Sequence, residues 1–322
     1  MNYHLYQNGH VGMVNCLMSA ENALILALLS NQNINFIHSG YLFNSEKKLT
    51  LFDLYDVNYN TVHNKYIQTE SVLPYDLHDT VIYKNQTPDA EFINGRNKII
   101  NLNNYTTFST KDADTLGFYS YMFCLDKKEK HKVEEFLRKT IKPKWKYEEV
   151  ALDVLKELPS FNCINVRRGD YLHIPNTKNR YIEVKDFLPI IEYHFDNKPL
   201  LIVSDETDKN YFKLLESKYQ VKYIQDLIKG DFDTAERGLI AMIVASYSRN
   251  FIGTLKSTFS AMIQRMRKQN GYLEDYKFLY SQDDNLILQN GKMLEKVGKY
   301  AWNKVYLPQN LKEINFWIRE WY

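Results

Sequence analysis

Two patterns of apolar and polar positions divide the chain. From Phe161 onward, short apolar runs alternate with stretches whose apolar residues return at helical spacing. Phe161–Val166, Pro199–Ser204, Val221–Ile224 and Asn250–Gly253 read as strands. Val184–Phe195, Thr207–Lys218, Asp233–Arg249 and Thr258–Asn270 read as helices. Such alternation predicts a parallel sheet covered on both faces, with ligands at the carboxyl ends of its strands.

The pattern before Phe161 is looser. Tyr3–Tyr6 and Asn35–His38 read as strands on either side of a glycine turn and a helix within Gly9–Asn31. In that helix Leu17, Ala20, Leu24, Ala27 and Leu28 form the apolar stripe. Residues 50–119 read as loops and small elements that shape a groove. Asp126–Ile141 predicts a charged helix, and Trp145–Leu158 a second one stopped by Pro159. The polar stretch before Trp145 sets the expected boundary between a first domain, 1–145, and a second, 146–322. A terminal helix over Leu311–Tyr322 is expected to pack on the body, back on the first domain, rather than on a membrane surface.

Composition narrows the class. The chain has 322 residues, 44% of them hydrophobic and 25% charged, enough for two full cores. A net charge of +2 with interspersed signs gives no ground for nucleic-acid binding. Cys16, Cys124 and Cys163 match no metal or redox spacing and are expected to be buried free thiols. Met1–His4 carries no signal-like segment, and the first apolar run, Ala23–Leu29, is too short to span a bilayer. The expectation is a cytoplasmic protein without an integral membrane segment, with peripheral contact as the remaining membrane role.

Chemistry gathers where the strands end. The first strand of the second half runs out into Arg167-Arg168-Gly169-Asp170. Two guanidiniums at a strand end are costly to bury unpaired, and their planar forks suit phosphate oxygens. A surface turn with a local Arg–Asp pair, or an adhesive Arg-Gly-Asp tripeptide, would look the same in isolation. The second strand ends in Ser204-Asp205-Glu206, where Asp205 caps the next helix or receives hydrogen bonds from a base or ribose. The last ends in Gly253-Thr254 and runs through Ser257, Thr258, Phe259 and Ser260 into a helix. Those hydroxyls are either helix caps or part of an anion site at the helix N-terminus. Together the three ends would hold a nucleotide diphosphate.

Asn165-Val166-Arg167-Arg168-Gly169-Asp170 resembles the His-x-Arg-Arg-x-Asp motif of the GDP-fucose-dependent fucosyltransferases. This superfamily joins α1,2- and α1,6-fucosyltransferases and protein O-fucosyltransferases. Phe251–Thr254 with Ser257–Ser260 is similar to their later strand and Ser/Thr-Phe-Ser segment, and Val203–Glu206 resembles their intermediate strand. The loop Gly9–Asn15, with Gly12 and Asn15, is loosely similar to their N-terminal glycine loop. Three positions depart from the pattern: Asn165 stands where histidine is usual, Ala241 near a usual aspartate, and Asn15 is displaced.

The resemblance implies a glycosyltransferase-B fold, an α/β architecture of two Rossmann-like domains with the donor in the cleft. It implies inverting, metal-independent transfer of fucose from GDP-fucose to a hydroxyl of a glycan or protein, with no cofactor. Arg167 would act on the leaving diphosphate, and Arg168 would assist or pair with Asp170. Thr254, Ser257, Thr258 and Ser260, with Phe259 beside them, would line the phosphates. Asp205, Asn165 and Asp170, with Gly12 and Asn15 of the first loop, would complete the donor set. His10 and Glu21 are near the first loop and read more simply as structural. Asp112-Ala113-Asp114 and Asp231-Phe232-Asp233 match a metal-site string but read as turn and cap residues. The rivals are a transferase of another GDP- or UDP-sugar and a non-catalytic nucleotide- or glycan-binding module.

Overall fold

A computed structural model of the chain describes residues 2–8, 12–18, 20–21, 33–39, 42, 45–58, 67–69, 127–169, 172, 183–254, 257–272, 278–279, 286–289 and 292–295. The chain forms two compact units. One is Met1–Tyr147 with Phe232–Glu236, the other Glu148–Asp231 with Arg237–Tyr322.

In the first unit, β1 (Asn2–Asn8), β2 (Asn33–Ser39) and β4 (Ile67–Thr69) form a parallel sheet in the order β1-β2-β4. Residues 13–18 and 20–21 are helical, and Met13, Val14, Leu17 and Met18 are buried there. β3 (Tyr55–Val57) pairs antiparallel with β5 (Ile141–Pro143), and β5 directly follows the helix Lys127–Thr140. Among the described residues of 50–69, the short helix Leu51–Leu54 and the strands β3 and β4 are small elements, as expected. Each strand there is three residues long, too short for a period-2 pattern to show. The rest of the expected groove region and the terminal helix lie outside the described residues.

The second unit carries a five-stranded sheet in the order β10-β9-β6-β7-β8. Its strands are β6 (Asn162–Val166), β7 (Leu200–Ser204), β8 (Val221–Tyr223), β9 (Asn250–Thr254) and β10 (Phe278–Leu279), all paired in parallel. β6 is buried along its whole length, so its two faces pack on different layers. Ile164 and Val166 join a core with Val184, Phe187 and Ile191 of the helix Val184–His194. Alternation turns Cys163 and Asn165 to the opposite face. A hairpin of β11 (Leu286–Gln289) and β12 (Lys292–Glu295) follows. Both units thus carry a parallel sheet, as two Rossmann-like domains require.

The expected helix over Thr207–Lys218 is two short pieces instead, a 3-10 turn at Lys209–Phe212 and a helix at Lys213–Glu216. Asp208 starts the turn by accepting a hydrogen bond from the Asn210 amide at 2.9 Å. Upstream, Glu206 Oε1 takes the Asp208 amide at 2.8 Å and holds that segment out of helical register.

Candidate functional site

Three strand ends meet at the carboxyl edge of the second unit's sheet. β6 is the central strand of the three, with β9 on one side and β7 on the other. The β6–β9 ladder runs from Asn162↔Asn250 to Ile164↔Ile252 and then stops. Side chains continue it. The Thr254 hydroxyl donates to the Asn165 carbonyl at 2.7 Å and accepts the Arg167 amide at 2.9 Å.

The β7 side is built the same way. The ladder reaches Val166↔Ser204. Beyond it, Ser204 Oγ donates to the Val166 carbonyl at 2.6 Å and accepts the Glu206 amide at 3.0 Å. Asp205 Oδ1 then accepts the amides of Arg168 at 2.7 Å and Gly169 at 3.0 Å. Asp205 is therefore not the cap of the next helical turn; Asp208 has that role. Gly169 is needed where it stands, because a Cβ there would lie 3.0 Å from the Asp205 carbonyl oxygen.

Asn165 is the buried centre of the arrangement, 5% exposed. Its Nδ2 donates to the Val203 carbonyl of β7 at 3.1 Å, and its Oδ1 accepts the Ser260 hydroxyl at 2.6 Å. Ser260 Oγ also accepts the Thr254 amide at 2.9 Å. So Asn165 ties β6, β7 and the helix Thr258–Gln269 together. The helix can come this close because residue 253 is glycine. A Cβ on Gly253 would sit 2.7 Å from Ser260 Cβ.

Ser257 caps this helix, accepting the Ser260 amide at 3.4 Å. Thr254, Ser257, Thr258 and Ser260 are all buried. The hydroxyls of Thr254 and Ser260 are engaged inside the protein, and Ser257 has the capping role. At the helix start the amides of Thr258 and Phe259 have no carbonyl within the helix to bond.

The two arginines differ. Arg167 is half-buried at the strand end. Arg168 is held from several sides: its guanidinium bonds Glu206, lies 3.7 Å from Glu183, and stacks 4.4 Å over the Tyr211 ring. Burial alone would lower its pKa, but Glu206, with Tyr211 and Glu183, outweighs this and raises it. Among the described residues its carboxylate partners are Glu206 and Glu183; Asp170, the partner suggested by the sequence, lies outside them. Burial likewise pushes the Tyr211 hydroxyl up.

Arg267 and Glu236 went unread in the sequence. Arg267, 2% exposed, donates to the Ser248 carbonyl and hydroxyl and to the Arg249 carbonyl, fixing the approach to β9. In the first unit, Asp233 and Glu236 form a reciprocal helix cap: Asp233 Oδ1 takes the Ala235 amide and Glu236 Oε2 the Asp233 amide, each at 2.9 Å. The spacing Asp-x-x-Glu was visible as a capping signal. Asp233 Oδ2 also accepts the Ser45 hydroxyl and the Lys47 amide, and Glu236 Oε1 the Tyr147 hydroxyl. Asp233 is thus a cap, as read; Asp112-Ala113-Asp114 lies outside the described residues.

Gly12 and Asn15 belong to the first unit. Gly12 is exposed with open space around it, and its carbonyl accepts the Cys16 amide at 3.1 Å. Asn15 Oδ1 is buried without a hydrogen-bond partner. Glu21 is buried, and His10 lies outside the described residues. Cys16 and Cys163 are both buried, and burial pushes the Cys163 thiol up. Among the described residues no three His, Cys, Asp or Glu side chains gather as metal ligands would. Nor is any helix among them long and apolar enough to cross a membrane.

The model of glycosyl transferase family 11 matches residues 10–187, a span that includes the Arg167-Arg168 turn. No curated protein sequence matches the chain. Among solved structures, POFUT1 in complex with GDP is similar at 11% identity and a TM-score of 0.48, over 86% of this chain and 98% of its own. The fucosyltransferase NodZ from Bradyrhizobium is similar at 11% identity and a TM-score of 0.44, over 82% of this chain and 92% of its own. NodZ alpha-1,6-fucosyltransferase soaked with GDP-fucose is similar at 12% identity and a TM-score of 0.46, over 82% and 92%.

Proposed function

Because the chain belongs to glycosyl transferase family 11, and is thereby a glycosyltransferase, we propose that it moves fucose from GDP-fucose to a hydroxyl of a glycan or protein. The reading includes inversion at the anomeric carbon and no metal. Its donor identity is supported by the likeness of Asn165–Asp170 and Ser257–Ser260 to the fucosyltransferase motifs. The observation that carries the site is the meeting of Arg167, the Asp205-held turn and the start of helix Thr258–Gln269 on one sheet edge.

In this mechanism the acceptor oxygen attacks the anomeric carbon. The carbon–oxygen bond to the diphosphate breaks with its electron pair on the leaving oxygen, and the acceptor hydroxyl loses its proton. Negative charge therefore grows on the diphosphate. Arg167 and the helix-start amides of Thr258 and Phe259 meet that charge, and fixed donors aimed at developing charge lower a barrier most. Asn165, Thr254, Ser257, Ser260 and Asp205 hold these groups in place. Arg168, paired with Glu206, fixes the turn.

The test is transfer and donor hydrolysis across GDP-fucose, GDP-mannose and UDP-sugars. GDP-fucose should be turned over, and Arg167→Ala should lower kcat/KM by on the order of a hundredfold or more with an unchanged melting temperature. Near-normal turnover in that variant refutes the mechanism. Calorimetric binding of GDP-fucose without hydrolysis or transfer would point to a binding module instead.

A further inference from the structure

The turn after β6 has an unusual economy. Three consecutive amides, those of Arg167, Arg168 and Gly169, all point at acceptors of the protein itself. The first is taken by a side chain of β9 and the next two by one carboxylate oxygen from the end of β7. Main-chain pairing has already ended on the β9 side, and on the β7 side it ends at Ser204. A strand end freed of its ladder would ordinarily swing in solvent. Here it is gripped from both flanks. These amides are also occupied, so they do not form an anion cradle of their own; any anion at this edge is met by side chains and by the neighbouring helix start.

We infer that Thr254 and Asp205 are positioning residues, a two-sided clamp that sets the backbone of Arg167–Gly169 and so the direction in which the Arg167 side chain leaves the sheet. Thr254 is suited to this because one hydroxyl both donates to the Asn165 carbonyl and accepts the Arg167 amide. The hydroxyl is itself placed by the Thr254 amide bonding Ser260. Valine has the same shape but neither capacity. Asp205 is suited because its one oxygen reaches two successive amides, which Gly169 permits by leaving the space a Cβ would take.

The inference rests on the transferase reading for its kinetic consequence only, so two measurements are made. Amide hydrogen exchange by NMR reads the clamp directly. Wild type should protect the Arg167, Arg168 and Gly169 amides. Thr254→Val should release the Arg167 amide, and Asp205→Ala the other two, while Thr254→Ser and Asp205→Asn restore protection. Kinetics then read the consequence. Thr254→Val should lower kcat tenfold to a hundredfold with the donor KM changed less than twofold, because misaiming Arg167 costs most when charge has developed. Thr254→Ser should recover most of kcat, which a purely structural defect repaired by volume would not do. Unchanged protection in Thr254→Val and Asp205→Ala, or released amides with wild-type kcat, overturns the inference. A wild type that transfers no sugar refutes the transferase reading, and the exchange pattern still decides for or against the clamp.

Discussion

Asn165 Oδ1 accepts a hydrogen bond from Ser260 Oγ at 2.6 Å, joining the central strand to the helix that starts the candidate anion site. Both groups are buried, so cutting either leaves a polar atom without water. Asn165→Ala should destabilise the protein by about 2 kcal/mol or more, since the buried Ser260 hydroxyl loses the acceptor of its proton and the Val203 carbonyl its side-chain donor. In a double-mutant cycle with Ser260→Ala, thermal or urea melts should show a coupling of about 1 kcal/mol. Additive losses would mean that the two side chains do not act together.

The close approach at Gly253 gives a sharper steric prediction. Gly253→Ala should cost about 1–3 kcal/mol through overpacking against Ser260. Ser260→Ala should relieve it only in part, because it removes the hydroxyl oxygen at 2.9 Å but leaves Cβ at 2.7 Å. Ser260→Gly in the same background should recover part of the loss despite its poor helix propensity. Urea midpoints of the three variants distinguish these outcomes.

Breaking the Arg168–Glu206 pair should loosen the turn without touching Arg167. Glu206→Ala should cost about 1–2 kcal/mol, the range for a charged hydrogen bond partly open to solvent. Arg168→Lys should also destabilise, since an ammonium loses the planar stack on Tyr211 and the fork to the carboxylates. A melting temperature unchanged in both variants would contradict the pairing.

The first unit should respond to pH through Glu236 and Tyr147. Burial would raise Glu236, but hydrogen bonds from the Asp233 amide, Tyr147 and Lys146 outweigh it and hold the carboxyl below the ordinary glutamate value. A carboxyl lowered on folding stabilises above its unfolded pKa, and that stability is lost as pH falls through the folded value. Burial and then Glu236 push Tyr147 up, so its contribution is present below the ordinary tyrosine range and is lost in strong alkali. Melting curves between acid and neutral pH should therefore show a steeper acid decline in wild type than in Glu236→Gln.

The second unit's sheet was legible because buried parallel strands are near-continuous apolar runs that stand out between helices. The place of the site was legible for the same reason: strands in parallel end on one edge. The work of each polar residue there was not. Asn165, Thr254 and Asp205 read as ligand groups by their chemistry. Their actual bonds depend on where ladders stop, and that is a matter of register between segments far apart in sequence. Arg267 was hidden likewise, since an arginine on a helix reads as solvated until its partners at Ser248 and Arg249 come into view. The short strands of residues 55–57 and 67–69 carry no period to detect.

The return of Phe232–Glu236 to the first unit bears on how this chain can be taken apart. A gene cut after Tyr147 would yield a fragment lacking Asp233 and Glu236. The Ser45 hydroxyl, the Lys47 amide and the Tyr147 hydroxyl would lose their carboxylate acceptors together. Shuffling this first unit onto another glycosyltransferase by a single crossover would thus carry over an unfinished core, and a viable chimera needs the distant five-residue segment grafted with it.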